Sequence, residues 1–424
     1  MQPFRFIHCG DLHLGAPFKY ARTMSSAVER TVADATYVAF ERIIDTAINE
    51  SVQAFIISGD IYNSEDHNLE AQVRFVGAMQ RLAEAHIPVY MVQGNHDPAE
   101  SWRAQLTMPN NVHIFSDTQV QRFPLMVNNV EIGGIYGISC GHGNEYMNFA
   151  TQYKALERDE FSIAVMHGTV GSSKNSEAHD VVGPCSLSDL VQGAMDYWAL
   201  GHIHKSQILH SDPMVVYPGN PQGLHRKETG PKGCYLVKVS HNGHCDLAFI
   251  DTAALRFEEI KLDISGVQQE SELMELLRIK KASLHKQYKK PILLSVQLVG
   301  AGPMHTLAMD EGVRQHWLKD SQREEVSKTG FVMPYKLMDR TRPSVNLGER
   351  RMLNDMVGDY LRAYDRTITD VASVKQILLD RPEAKRLGAY AELLSPELLQ
   401  RVMERSEIEG VTMLMGANNE DTEH

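Results

Sequence analysis

Apolar residues open the chain as a short strand-like run, Pro3 to His8, and then change their spacing. From Ala27 to Asn49 they recur three or four apart, at Val28, Val32, Ala35, Ala39, Ile43 and Ala47, which predicts a helix. Ala54 to Ser58 reads as a buried strand. Leu69, Val73, Val76, Met79 and Leu82 predict a second helix over Leu69 to Ala85, and Pro88 to Val92 a third strand. The order β-α-β-α-β predicts a largely parallel sheet covered on both faces, and ligand sites on such sheets lie outside the carboxyl ends of the strands.

From about Asn111 to Asp251 the strand patterns crowd together: Val112 to Phe115, Thr118 to Phe123, Val130 to Ile138, Ser162 to Met166, Tyr197 to Leu200, Val215 to Tyr217 and Gly233 to Val239. Such a run predicts a second sheet packed on the first. Beyond it, Leu255 to Asp263 reads as a strand, Gln268 to Lys290 as a long helix and Ile292 to Val299 as a strand. After a loop containing Pro343, helical segments follow at Leu347 to Tyr364, Val371 to Leu379 and Pro382 to Arg405. The expected architecture is α/β: a two-sheet sandwich flanked by helices over residues 1–254, a smaller α/β cap over 255–344, a C-terminal helical region over 345–415 and a flexible tail over 416–424.

Composition narrows the class. With 424 residues, 43% hydrophobic and 23% charged, the chain is globular and long enough for two or three domains. No apolar stretch approaches the roughly 18 to 20 residues that cross a bilayer, and the mean hydropathy is -0.30, so a membrane-spanning protein is excluded. The first chemical motif begins at Asp11, directly behind the opening strand, which leaves no room for a cleavable leader; the expected location is the cytoplasm. Five scattered cysteines without a C-x-x-C pair read as reduced thiols. The net charge is -12, and it is uneven: residues 1–255 carry 17 Lys and Arg against 27 Asp and Glu, the remainder 25 against 27. If the N-terminal part acts on a phosphate polyanion, attraction has to come from bound cations or from another domain or chain.

The candidate chemistry lies in five short motifs at the ends of predicted strands: GDLH (Asp11, His13), GD (Asp60), GNHD (Asn95, His96, Asp97), HG (His167) and GHIH (His202, His204). Separate strands can thus deliver polar side chains to one rim. Carboxylates, one amide and several imidazoles without a thiolate suit Mn²⁺, Fe²⁺, Mg²⁺ or Zn²⁺, and seven donors are too many for one tetrahedral centre. Two metals are implied. A pair of cations about 3.5 to 4 Å apart can lower the pKa of a shared water and clamp a phosphate for in-line attack, so phosphoester hydrolysis is the reaction expected. His96, between Asn95 and Asp97, is the candidate for a role outside the metal shell: donating to a phosphoryl oxygen or protonating the departing alkoxide, with Asp97 orienting it.

The ordered series D-x-H, GD, GNHD, H, GHxH resembles the calcineurin-like metallophosphoesterase superfamily. More narrowly, FIHCGDLHLG, GDIYNSED, VQGNHD, YWALGHIHK and VYPGNPQG resemble the SbcD-type DNA repair exonucleases, catalytic partners of SbcC/Rad50-type ATPases, over about residues 4 to 250. The resemblance implies one metal on Asp11, His13, Asp60 and His204 and another on Asp60, Asn95, His167 and His202, most often Mn²⁺, with Asp60 bridging and His96 catalytic. It further implies 3′ to 5′ exonuclease action on duplex DNA, endonuclease action on single strands, a coiled-coil SbcC-like ATPase partner and a homodimer. Asn63 departs from the pattern, since relatives often carry Asp there.

Other residues keep two readings. Gly219 and Asn220 in YPGNPQG either line the substrate channel or make a turn, and Arg226 and Lys227 either touch phosphates or sit in a solvated loop. His8, His142, His179 and His225 match no ligand position, and Cys9 reads as a packed small residue. The basic series Arg278, Lys280, Lys281, Lys286, Lys289 and Lys290 either contacts a nucleic-acid backbone or is a charged surface helix. Leu353, Met356, Tyr360 and Leu361 offer an apolar face for the ATPase, in competition with packing inside the chain. Two rival functions remain: a phosphodiesterase or phosphatase for nucleotides or small phosphoesters, and a subunit that mainly scaffolds an ATPase.

Overall fold

The computed structural model describes residues 1–17, 26–98, 106–141, 143–171, 181–325, 330–368, 370–382 and 394–420; His142 and His179 lie outside them. The chain divides into two compact units: Met1–Glu258 with His285–Leu294 and Glu325–Met333, and Glu259–Leu284 with Ser295–Glu324 and Pro334–His424.

The first unit holds two six-stranded sheets. Its strands are β1 (Phe4–Cys9), β2 (Ala54–Ser58), β3 (Val89–Val92), β4 (Val112–Ile114), β5 (Gln121–Val127), β6 (Val130–Ile138), β7 (Phe161–His167), β8 (Tyr197–Gly201), β9 (Gln207–Ser211), β10 (Met214–Tyr217), β11 (Gly233–Val239) and β12 (Cys245–Asp251). One sheet runs β12-β11-β1-β2-β3-β4 and the other β5-β6-β7-β8-β10-β9. In the first, β1 to β4 are parallel, with β11 antiparallel to β1 and β12 antiparallel to β11. The expectation that all strands from Asn111 to Asp251 make the second sheet therefore needs correction. β4, β11 and β12 join the first sheet, with Phe4 opposite Val239 and His8 opposite Tyr235. Periodicity marks a strand but not its neighbour.

Two boundaries also move. The strand expected from Thr118 starts at Gln121, because Ser116 Oγ accepts from the Thr118 N–H at 3.2 Å and Gln121 Oε1 accepts from the Ser116 N–H at 2.7 Å, which turns the backbone there. The strand then runs through Pro124, which is tolerated because β5 lies at a sheet edge. The helix expected from Ala27 to Asn49 is divided at Asp34 into α1 (Ser26–Ala33) and α2 (Ala35–Asn49). The interruption is slight: the Asp34 N–H still bonds Arg30 O at 3.0 Å.

Strand alternation sorts the core into three layers. Phe6, Ile56, Tyr90, Val92, Ile163, Val165, Tyr197 and Ala199 fill the space between the sheets. The intervening residues Ile7, Phe55, Ile57 and Met91 meet Phe40 and Ile43 of α2 and Phe75, Met79 and Leu82 of α3 (Leu69–Glu84). On the second sheet Ala164, Met166, Trp198 and Leu200 pack on Leu190 of α4 (Leu187–Gln192). With both faces of the central strands covered, the near-continuous apolar runs at β2 and β7 are explained.

His8 points into the inner layer. It is fully buried, its Nδ1 lies 3.0 Å from the Tyr197 hydroxyl, and burial lowers its pKa to about 3. Between that value and 6.5 the unfolded chain takes up a proton that the folded chain refuses, so this residue makes stability fall as pH drops below 6.5. In urea unfolding of His8→Asn between pH 7.5 and 5, the loss of stability on acidification should be shallower than in wild type by up to about 1.4 kcal/mol per pH unit. Equal slopes would show that His8 does not titrate on unfolding.

A third sheet has the order β13-β14-β15, from β13 (Arg256–Asp263), β14 (Ile292–Ala301) and β15 (Val332–Arg342). The helices that follow α4 are α5 (Glu270–Tyr288), α6 (His305–Met309), α7 (Glu311–Arg323), α8 (Leu347–Arg351), α9 (Met356–Thr367), α10 (Val371–Leu379) and α11 (Pro396–Glu420). The α/β character of the whole chain is as expected, although the patterning did not resolve α6, α7 and β15. In the second unit Val357 and Leu361 of α9 pack on Val411 of α11, and the Tyr360 hydroxyl donates to Ser406 O at 2.9 Å. That packing consumes half of the apolar face expected on α9, leaving Leu353 and Met356 exposed. It also anchors α11, which continues to Glu420 where a frayed tail from Gly416 was expected; residues 383–393 and 421–424 lie outside the described set. Among the described residues no helix is long and apolar enough to cross a membrane.

Candidate metal centre

All five motifs leave carboxyl ends of strands in the first unit. Asp11 and His13 follow β1, Asp60 follows β2, Asn95 to Asp97 follow β3, His167 ends β7, and His202 and His204 follow β8. Local backbone chemistry aims them. Asp11, His13, Asp60 and His202 all have positive φ, at 50°, 41°, 51° and 97°, a conformation costly for non-glycine residues that persists only where surroundings enforce it. Gly59, at φ +97°, lets the Asp60 turn pass against the His167 ring, where a Cβ would collide.

The donors meet in one cluster. Asp60 Oδ2 lies 3.4 Å from His167 Nε2 and 3.7 Å from His13 Nε2, while its Oδ1 accepts from the His96 N–H at 2.9 Å. His13 Nε2 faces His204 Nε2 at 3.1 Å, and His167 Nε2 faces Asn95 Oδ1 at 3.0 Å. Asp11 Oδ1 accepts from the His202 N–H at 2.8 Å and stands 3.9 Å from His167 Nδ1. The His202 ring centroid is 5.2 Å from that of His167. Two overlapping groups can each hold a cation, Asp11 with His13 and His204, and Asp11 with Asp60 and His167.

The cluster fits divalent cations on its own chemistry. Asp11 Oδ2 is buried with no hydrogen-bond partner, a costly state for a carboxylate oxygen without a positive charge nearby. Three imidazoles are oriented from behind: His13 Nδ1 donates to Asn63 Oδ1 at 2.9 Å, His167 Nδ1 to Ser58 O at 2.9 Å, and His204 Nδ1 to Glu228 Oε1 at 2.6 Å. In the neutral rings each Nε2 lone pair then points inward at another acceptor, an arrangement that a cation relieves. Burial lowers the His13 pKa to about 4, which keeps it a neutral ligand. Burial raises the Asp60 carboxyl, but His167, His13 and His96 outweigh it and hold it well below the usual range, whereas burial dominates at Asp11 and raises it.

The calcineurin-like phosphoesterase family matches residues 4–206, a span that includes every motif of the cluster. The uncharacterized metallophosphoesterase YhaO of Bacillus subtilis is 32% identical over 404 residues, covering 95% of this chain and 96% of its own length. The chain belongs to the calcineurin-like metallophosphoesterases. The DNA double-strand break repair protein Mre11 of Sulfolobus acidocaldarius is 24% identical over 394 residues, 90% of this chain and 96% of that protein. The structure of a dimetal phosphatase from Danio rerio aligns with 57% of this chain and 94% of its own at 13% identity, with a TM-score of 0.34. As a member of this family the chain is a metal-dependent phosphoesterase, a hydrolase.

Around the metallophosphoesterase centre stands a layer that motif reading did not reveal. Glu228 binds His204 through Oε1, and its Oε2 accepts from Asn220 Nδ2 at 2.9 Å and from the Leu224 N–H at 2.6 Å. Burial alone would raise its carboxyl, but the His204 bond and the His204 and Lys232 charges hold it well below the usual range. Lys232 Nζ donates to His204 O at 2.7 Å, securing the same loop. Glu228→Gln is expected to weaken Mn²⁺ binding by about 10- to 100-fold in titration calorimetry. Unchanged affinity would exclude a supporting role.

Other expected residues are placed as follows. Asp97 is buried, and its carboxylate accepts from the Gly94 N–H at 2.9 Å and the Ile61 N–H at 3.2 Å, clamping the β3 loop to the β2 loop. His96 is exposed, its ring centroid 5.1 Å from that of His13. Asn220 is fully buried and its N–H reaches His204 O at 3.4 Å, while Gly219 has φ 76° against the His204 to Ser206 backbone, so the Pro-Gly-Asn turn braces the His204 loop. Arg226 and Lys227 line a groove of about 580 Å³ with Asn63 and Asp66, next to His13. Half of the basic series in and after α5 is already engaged: Arg278 pairs with Glu275 and Lys290 with Asp251, each at 2.7 Å, and buried Lys281 donates to Ser321 O at 2.7 Å.

Proposed function

We propose that this phosphoesterase is a DNA nuclease that processes ends or breaks, with 3′ to 5′ exonuclease action on duplexes and endonuclease action on single strands. The observation that carries this reading is the extent of the likeness to Mre11, 90% of this chain and 96% of that protein, which reaches far beyond the catalytic motifs. The groove bearing Arg226 and Lys227 beside His13 supports a polyanionic substrate in an otherwise acidic region.

In this reading Asp11, His13, Asp60 and His204 would hold one cation and Asp60, Asn95, His167 and His202 the other, most often Mn²⁺. When bound, the pair supplies water activation and charge neutralisation at phosphorus. Asp60 Oδ2 sits between the two groups of donors, Glu228 and Asn63 fix the rings of His204 and His13, and Asp97 sets the loop that presents His96. His96 donates to the phosphoryl oxygen or protonates the departing alkoxide. Residues 255–344 act as a cap over DNA, and residues 345–415 dock an SbcC-like coiled-coil ATPase, with Leu353 and Met356 as exposed anchors. A homodimer in the cytoplasm completes the proposal. The test is Mn²⁺-dependent degradation of end-labelled duplex DNA set against hydrolysis of bis-p-nitrophenyl phosphate and cyclic nucleotides. Small esters cleaved while DNA stays intact, with and without the ATPase, would replace the nuclease by a small-molecule phosphodiesterase.

A further inference from the structure

The second unit carries a groove of about 350 Å³ that the metal centre does not use, lined by Glu311 and Arg314 of α7, Arg405 of α11 and five consecutive residues of β15, Lys336 to Arg340. Side chains on one face of a strand recur every second residue, so a groove lined by consecutive residues meets the strand edge-on. β15 is the last strand in the order β13-β14-β15, which leaves that edge without a neighbouring strand among the described residues. The edge is tied at its start, where Gln322 Nε2 donates to Pro334 O at 2.7 Å. Beyond that tie β15 continues to Arg342, long enough for a few ladder bonds.

The lining is cationic. Arg405 is shared between Asp339 and Glu409, and Arg314 is held by the carbonyls of Ala308 and Met309 at 2.5 and 2.6 Å, which position its guanidinium without cancelling its charge. Among the described residues Lys336, Arg340 and Arg314 make no ion pair, so three cations in the lining are left for a ligand, with Glu311 beside them. A nucleic-acid backbone would use the cations but not the strand edge. A peptide uses both.

We propose that this groove docks an extended acidic segment of a partner protein, which adds a strand to β15 through main-chain hydrogen bonds while its carboxylates meet Lys336, Arg340 and Arg314. The probe is a fluorescein-labelled six-residue peptide of alternating glutamate and valine, followed by anisotropy with the full chain. Saturable binding is expected, weakened at least about tenfold by methylating alternate peptide nitrogens and at least about tenfold by Lys336→Glu with Arg340→Glu. Both substituted side chains are at the surface, and an unchanged melting temperature confirms that the double variant is folded. No binding, equal binding of a lysine-valine peptide, or equal affinity of the methylated peptide overturns the proposal. So does a labelled DNA duplex that binds through Lys336 and Arg340 while the peptide does not.

Discussion

Asp60→Asn is expected to give a folded protein that no longer holds a metal pair and hydrolyses phosphoesters at least about a thousandfold more slowly. The substitution is chosen for what it keeps. Asp60 is 1% exposed, and the amide oxygen of Asn can still accept the His96 N–H that Asp60 Oδ1 now takes at 2.9 Å. What disappears is the charged oxygen set 3.4 Å from His167 Nε2 and 3.7 Å from His13 Nε2, an atom within reach of both rings. Titration with MnCl₂ should find two ions in the wild type and fewer than two in the variant, with turnover of bis-p-nitrophenyl phosphate following occupancy. Two tightly bound ions in Asp60→Asn would mean that Asp60 does not bridge.

The second large effect is expected at His96, with the opposite division between binding and chemistry. Its imidazole is exposed on the rim, and its backbone, not its ring, bonds Asp60. His96→Asn should therefore retain two Mn²⁺ and near-normal substrate affinity while kcat falls by about 10² to 10⁴, the range for removing one proton donor. Near-normal kcat would remove His96 from the chemistry, and a drop in metal stoichiometry would move it into the ligand shell.

Much of this centre was legible because each motif follows its own apolar run. A polar residue just past a buried strand has to emerge at the strand end, and five such ends on parallel strands share a rim. The supporting layer was not legible, since it depends on loops that meet only in three dimensions. Glu228 is 24 residues from His204 and Asn63 is 50 from His13, and neither lies in a spacing that announces the contact. Asp97 illustrates the limit differently: its place beside His96 did not announce that its oxygens close on the amides of Gly94 and Ile61. In the fold, β11 reads clearly as a strand but its place beside β1 is a property of pairing. The basic series in and after α5 shows the same dependence, because Glu275, Ser321 and Asp251 take up three of its six cations through contacts that the series itself does not announce.

The candidate centre draws on three strand ends of one sheet and two of the other. Cations seated there would rivet the halves of the sandwich together, and at a hundredfold excess over its dissociation constant each would add about 2.7 kcal/mol against separation. Ester-cutting power thus exists only in a molecule whose halves have closed, and a nascent or part-melted chain stays inert by construction.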